Sequence, residues 1–89
     1  MSETADRIDA GALRTWLTER VADLLRMPPE DIESHRPLPD YGLDSIYALS
    51  IVVEIEDHLG LQLEATMVWD HPSIDSLVEV LATKTAEAS

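Results

Sequence analysis

The chain has 89 residues and a mass of 9.9 kDa, and its 18 acidic and 6 basic side chains give a formal net charge of −12. This length allows one small domain and excludes a large enzyme with a deep active site, while the negative charge argues against nucleic-acid binding. The chain lacks cysteine, which excludes disulfides, and it has no apolar run that could span a membrane. We therefore expect a cytoplasmic protein.

The first predicted helix follows Asp9 and ends before Pro28 and Pro29. Asp9 is a candidate N-cap, and Ile8 lies where a hydrophobic staple would place it. Apolar residues recur at spacings of three and four, which is typical of one buried helix face, and they are Leu13, Trp16, Leu17, Val21, Leu24 and Leu25. Trp16 is accordingly interpreted as a core residue.

Residues 27–44 form a long predicted connection that contains four prolines and one glycine. Loops of this length in small domains are usually functional. A short helical turn is expected around residues 30–34. Three isolated apolar residues are expected to hold the loop across the helices: Ile32, Leu38 and Leu43.

A second predicted helix begins at Asp44 or Ser45 and runs to Leu59, with Gly60 suited to the left-handed position after its end. Its core face is formed by Ala48, Ile51, Val52, Ile55 and Leu59, with Leu49 at the edge. Ile46 and Val53 point away from that face, on a stripe shared with Ser50 and Asp57. Scattered exposed aliphatic residues are common, but this alignment favours a partner surface.

The remaining chain predicts a short helix over residues 64–69 and a last helix that is capped by Ser73 and ends at about Ala82. The fold class is therefore all-α, a small bundle of three main helices plus a short one, with the long loop between helices one and two. We expect residues 1–9 to be a flexible tail, residues 10–82 to be the helical domain and residues 83–89 to be a second flexible tail.

Residues 37–83 contain nine acidic residues and no lysine or arginine. One interpretation is a solvated surface that keeps the protein soluble. The other is a docking surface for basic partners, on which charge steers the encounter.

The Asp44-Ser45 pair lies where the proline-rich loop meets the second helix, and a simple helix cap is one interpretation. A hydrolase nucleophile is disfavoured, because the flanking glycines of a nucleophile elbow are missing and His58 lies roughly 20 Å along the same helix. The three histidines also lack metal-ligand spacing. By contrast, a phosphodiester on Ser45 would gain about 0.3–1 kcal/mol from the field at the helix start.

The run Tyr41-Gly42-Leu43-Asp44-Ser45-Ile46, which opens an acidic amphipathic helix, resembles the modification site of acyl carrier proteins. The resemblance covers roughly residues 10–82, and it includes Leu24-Leu25, the long loop and the run Val53-Glu54-Ile55-Glu56. The final run from Trp69 to Ile74, with its His-Pro-Ser motif, is similar to polyketide-synthase carriers more than to fatty-acid carriers.

The resemblance implies that Ser45 is the attachment point for 4′-phosphopantetheine, which a phosphopantetheinyl transferase takes from coenzyme A, and that Asp44 supports this modification. The thiol of that arm would carry acyl groups as thioesters and present them to an acyltransferase, a ketosynthase or other thioester-handling enzymes with basic docking surfaces. The implied partner-binding residues are Ile46, Val53, Glu54, Asp57 and Met67, and clefts near Leu49, Met67 and Trp69 are implied to shelter the acyl chain.

The expected function is thus a carrier of a polyketide-type pathway, as in antibiotic biosynthesis, without catalytic activity of its own. Tyr47 and Ser50 stand where fatty-acid carriers often have acids, which argues against service to the fatty-acid enzymes. We expect a discrete, monomeric protein that binds neither metal, nucleic acid nor membrane. An aminoacyl, peptidyl or aryl carrier is one alternative, and an unmodified acidic helical interaction module is an alternative from another class.

Overall fold

A computed structural model describes residues 10–88, and these residues form helices joined by turns and loops, without strands. The main helices are α1 (Ala10–Leu25), α2 (Ser45–Leu59) and α4 (Ile74–Ala88), and the short helix is α3 (Met67–Asp70). The predicted all-α class, with three main helices and a minor one, is confirmed. The predicted cap Asp9 and staple residue Ile8 lie outside the described residues.

One apolar core connects the helices and the long loop, because each main helix turns one stripe of aliphatic side chains inward. α1 packs against α4 and α2, and α2 also contacts α3. The fully buried side chains each stabilise the fold by about 1.5–3 kcal/mol relative to exposure. The largest of them are Leu17, Leu38, Ile51, Ile55, Ile74, Leu77 and Leu81.

Trp16 packs against this core but is only partly buried, so its interpretation as a core residue holds in part. One face of its indole stacks on the ring of His58, with ring centroids 3.9 Å apart and an interplanar angle of 8°. The stack joins α1 to the last turn of α2.

The long loop between α1 and α2 is tied to the start of α4. The backbone N–H of Leu38 donates to the carbonyl of Pro72 at 2.7 Å, and that of Asp75 donates to the carbonyl of Ser34 at 2.9 Å. The Asp75 carboxylate also accepts from Ser34 Oγ at 3.2 Å and pairs with Arg14 Nε at 3.0 Å. The three apolar loop residues are buried as predicted, so the loop is anchored by both its backbone and its side chains.

Some predicted boundaries are wrong. The loop holds two 3-10 turns, Pro29–Asp31 and Leu38–Tyr41, and the sequence predicted only the first, slightly too late. The short helix begins at Met67, three residues after the predicted start. The last helix continues to Ala88 rather than ending at about Ala82, because no glycine or proline interrupts it.

Candidate functional site

The two residues before Asp44, at the start of α2, are held in one backbone conformation. Gly42 adopts a left-handed conformation with a φ of 91°, and its N–H donates to the carbonyl of Pro39 at 3.0 Å. Leu43 then buries its side chain, with 5% of it exposed. The backbone is therefore fixed on both sides of the step that leads into the helix.

Asp44 is the N-cap of α2. Its Oδ1 accepts a hydrogen bond from the backbone N–H of Tyr47 at 3.0 Å, and its carbonyl accepts the first helical bond from Ala48 at 2.8 Å. A side-chain acceptor at this position satisfies one of the N–H groups that a helix start leaves unpaired. The capping role that the sequence left open between Asp44 and Ser45 belongs to Asp44.

Ser45 is the first residue of α2, and its side chain is exposed. Within residues 10–88 its hydroxyl takes part in no hydrogen bond, and the backbone N–H groups of Ser45 and Ile46 lack helical acceptors. These groups and the helix dipole create a positive field that favours a negatively charged substituent. The site thus presents a free primary hydroxyl in a setting suited to a phosphate ester.

The described residues do not give Ser45 a catalytic partner. No histidine bonds to its hydroxyl, and His58 is engaged with Trp16 near the other end of the helix. Residues 10–88 also contain no group of three or more potential ligands that could hold a metal ion. None of the helices in this range has the length and hydropathy that a membrane crossing requires.

Large apolar side chains are exposed beyond Ser45 on α2 and on α3. Ile46 is 74% exposed and Val53 is 46% exposed, as predicted from the helical stripe. Leu49 and Trp69 are also exposed. Of these four residues, Ile46 directly follows Ser45 and Leu49 lies one helical turn further along α2.

The acidic residues of α2 fall into two groups. Glu54 Oε1 lies 3.1 Å from Arg20 Nε, in an ion pair whose N–H is not aligned for a hydrogen bond, and Glu56 Oε2 accepts from the backbone N–H of Leu63 at 2.8 Å. Asp57 is exposed and forms no ion pair within residues 10–88. Glu54 is therefore engaged inside the fold, whereas Asp57 faces solvent.

Arg20 is a residue that the sequence analysis did not single out. It contacts both Asp23 and Glu54, and only the contact with Asp23 has a local spacing that a helical pattern reveals. The contact with Glu54 joins α1 to α2 across a long stretch of chain, so no local signal indicates it.

Met67 is not available on the surface as the partner-binding prediction required. It is the first residue of α3, is 4% exposed and belongs to the core. It lines a pocket of about 170 Å³ together with Glu64, Asp70, His71, Val80 and Lys84. The single turn of α3 points Met67 and Val68 inward and leaves Trp69 outside, which corrects the prediction for Met67.

The family whose profile matches the chain is described as "Phosphopantetheine attachment site", and the match covers residues 15–81. Among curated proteins, the chain is 36% identical over 74 residues to a phenolphthiocerol/phthiocerol polyketide synthase of Mycobacterium tuberculosis, covering 83% of the chain and 4% of that protein. It is 35% identical over 81 residues to the cluster 41 polyketide synthase of Aspergillus flavus, covering 91% of the chain and 7% of that protein. The chain thus spans a small fraction of these relatives.

Solved structures of carrier proteins resemble the fold. A free-standing peptidyl carrier protein from an uncharacterized secondary metabolic pathway of Acinetobacter baumannii matches with a TM-score of 0.82 and 38% identity, over 85% of this chain and 95% of that one. The acyl carrier protein LipD of Actinoplanes friuliensis matches with a TM-score of 0.72 and 45% identity, over 86% of each chain. Members of the family whose profile matches hold 4′-phosphopantetheine covalently on a serine. Taken with the profile match, these likenesses show that the chain belongs to the phosphopantetheine attachment family and is a carrier domain homologous to those of polyketide synthases.

Proposed function

We propose that Ser45 is the serine that carries the 4′-phosphopantetheine arm. The observation that carries the proposal is a comparison of the serines within residues 15–81. Ser45 is exposed, whereas the other four are partly buried: Ser34, Ser50, Ser73 and Ser76. The hydroxyls of Ser34, Ser73 and Ser76 are also engaged in hydrogen bonds, and Ser50 lies inside α2 away from its start.

The residues around Ser45 fit a phosphate ester. The exposed hydroxyl can enter the active site of a transferase, and the free N–H groups at the helix start favour the negative charge of the product. Asp44 directs its Oδ1 to the Tyr47 N–H, and no base contacts Ser45 within residues 10–88. We therefore assign no residue of this chain to the removal of the hydroxyl proton.

The arm supplies a thiol, a group that this chain lacks because it has no cysteine. That thiol holds acyl intermediates as thioesters. The chain itself presents the arm and catalyses no reaction. Tethering raises the effective concentration of an intermediate near each enzyme that the carrier visits. We also propose that the carrier acts as a monomer in the cytoplasm.

The test is the intact mass of the protein after incubation with coenzyme A and a promiscuous phosphopantetheinyl transferase. The wild-type chain gains one phosphopantetheine, and Ser45→Ala gains none. Ser50→Ala is the matched control on the same helix and is modified like the wild type. An adduct on Ser45→Ala overturns the assignment. The unmodified interaction module predicts instead that Ser45→Ala keeps its function in the host.

The first candidate for the pathway in which the carrier acts is of the polyketide type, because the curated relatives described above are polyketide synthases. A peptide-type pathway is the second, because the peptidyl carrier of Acinetobacter baumannii is 38% identical to the chain. Incubating the modified protein with a polyketide acyltransferase, or with an adenylating enzyme that loads amino acids, separates the two by the mass of the group gained. Loading by the acyltransferase alone supports the first candidate.

The partner surface we propose includes Ile46, Val53 and Asp57, which are exposed on α2. Glu54 contributes less than the sequence suggested, since it already pairs with Arg20. Asp57→Lys is expected to slow acyl transfer from a partner with a basic docking surface, and more so at low salt than at high salt. An unchanged rate at low salt contradicts a steering role for Asp57.

A further inference from the structure

Tyr41, four residues before Ser45, forms a hydrogen bond that links two parts of the long loop. Its ring packs against the core, and its hydroxyl accepts a hydrogen bond from the backbone N–H of Glu33 at 2.8 Å. The bond links the second 3-10 turn to the segment that follows the first one. It also satisfies an amide that donates to no backbone carbonyl in the loop.

Arg36 contacts the Tyr41 ring and the carboxylates of Glu33 and Asp40. Its guanidinium lies 5.6 Å from the centroid of the Tyr41 ring, Nε lies 3.6 Å from Asp40 Oδ2, and Nη1 lies 3.9 Å from Glu33 Oε1. The arginine thus contacts both sides of the segment that the Tyr41 hydroxyl closes. A cation over an aromatic face in this position further restricts the ring.

Each of the three residues between Tyr41 and Ser45 is held by a contact of its own. Gly42 is bonded to Pro39, Leu43 is buried in the core, and Asp44 caps α2. Each of these contacts depends on the backbone direction at the end of the second 3-10 turn. A shift of Tyr41 would therefore disturb the Gly42 bond, the burial of Leu43 or the cap formed by Asp44.

We propose that Tyr41 is a positioning residue for the modification of Ser45. Its hydroxyl, bonded to Glu33 N–H, holds the approach to α2 in the arrangement that a phosphopantetheinyl transferase binds. This inference rests on the proposed function, since it concerns the reaction at Ser45. If the bond is lost, the loop populates other arrangements, and the apparent affinity for the transferase falls in proportion to the competent fraction.

The experiment compares Tyr41→Phe with the wild type, with coenzyme A in excess and the carrier concentration varied. The phenylalanine keeps the ring and removes only the hydroxyl, which accepts the bond from the Glu33 N–H. We expect KM for the carrier to rise about threefold to tenfold, the range that one hydrogen bond supplies, with kcat unchanged. Amide hydrogen exchange of Glu33, followed by NMR, should accelerate by a similar factor.

Val80→Ala is the control for a general loss of stability. Val80 is a partly buried residue of α4 that packs against the core, and it lies far along the chain from the loop. This variant should lower Tm and leave KM and the exchange of Glu33 as in the wild type.

The outcomes separate this inference from the function on which it rests. An unchanged KM for Tyr41→Phe overturns the positioning role, and so does unchanged exchange at Glu33, because the bond would then not exist in solution. A rise in KM that Val80→Ala reproduces also overturns it. A wild-type chain that gains no phosphopantetheine overturns the proposed function instead.

Discussion

The two ends of α2 are built differently although both are polar. At the C-terminal end Glu54 pairs with Arg20, Glu56 holds the backbone of Leu63, and His58 stacks on Trp16. At the N-terminal end the side chain of Asp44 bonds only to the helix that it caps, and the hydroxyl of Ser45 takes part in no hydrogen bond within residues 10–88. One end of the helix is fastened to the rest of the fold, and the other is presented to solvent.

Residue type alone also does not separate an acid that is engaged inside the fold from one that is left exposed. Glu54 and Asp57 are both acidic and lie one turn apart on α2, yet only Glu54 has a partner within the described fold. The modification that we propose at Ser45 uses both kinds of end, because it needs an exposed hydroxyl on a helix that is held in place.

The largest expected effect comes from making the same substitution in both halves of the helix. Ile55 is fully buried, whereas Ile46 is 74% exposed. Ile55→Ala should lower the free energy of unfolding by about 2–5 kcal/mol, because it leaves a cavity and loses buried area. Ile46→Ala should change it by less than about 0.5 kcal/mol. Urea unfolding followed by circular dichroism measures both, and equal losses would contradict the difference in burial between Ile55 and Ile46.

The next largest effect concerns Asp44, the N-cap of α2. Asp44→Ala should lower the free energy of unfolding by about 1 kcal/mol, because the Tyr47 N–H loses its acceptor. Asp44→Asn keeps a side-chain oxygen at that position and should retain most of the stability. Thermal and urea unfolding of both variants test this. If Asn is as costly as Ala, the charge rather than the cap accounts for the loss.

The stack between His58 and Trp16, near the C-terminal end of α2, should contribute a similar amount. His58→Ala should lower the free energy of unfolding by about 0.5–1.5 kcal/mol, since the ring contact with Trp16 is lost. In a Trp69→Phe background, fluorescence reports on Trp16, whose emission should move to longer wavelength as the indole becomes exposed. His35→Ala, which changes an exposed loop histidine, is the control and should leave the emission as it was.

The smallest effect is expected from the ion pair. Glu54→Gln should lower the free energy of unfolding by less than about 1 kcal/mol at low salt, and the difference should shrink as salt is added, because both side chains are partly exposed. Asp57→Asn removes an unpaired charge from a chain of net charge −12 and should cost nothing. A larger loss for Asp57→Asn than for Glu54→Gln would reverse the assignment of the two acids.

The sequence predicts the parts of the fold that depend on neighbouring residues. The bounds of α2 follow from Asp44 and Gly60, and its buried face follows from helical spacing. The pair of Glu54 with Arg20 and the bond of Tyr41 to Glu33 depend on tertiary contacts, which no local pattern records. The partner-surface role of Met67 was implied by the family resemblance alone, which does not show that this side chain is buried in the core.

The backbone bonds between the long loop and the start of α4 have a consequence for how far cargo can travel. Leu38 and Asp75 each donate across this junction, so the segment that leads to Ser45 does not act as a flexible tether. The point of attachment that we propose, Ser45, is therefore fixed relative to the helices. A loaded intermediate therefore reaches successive enzymes through the length of the arm and the movement of the whole domain, and each enzyme must bring its active site within that radius.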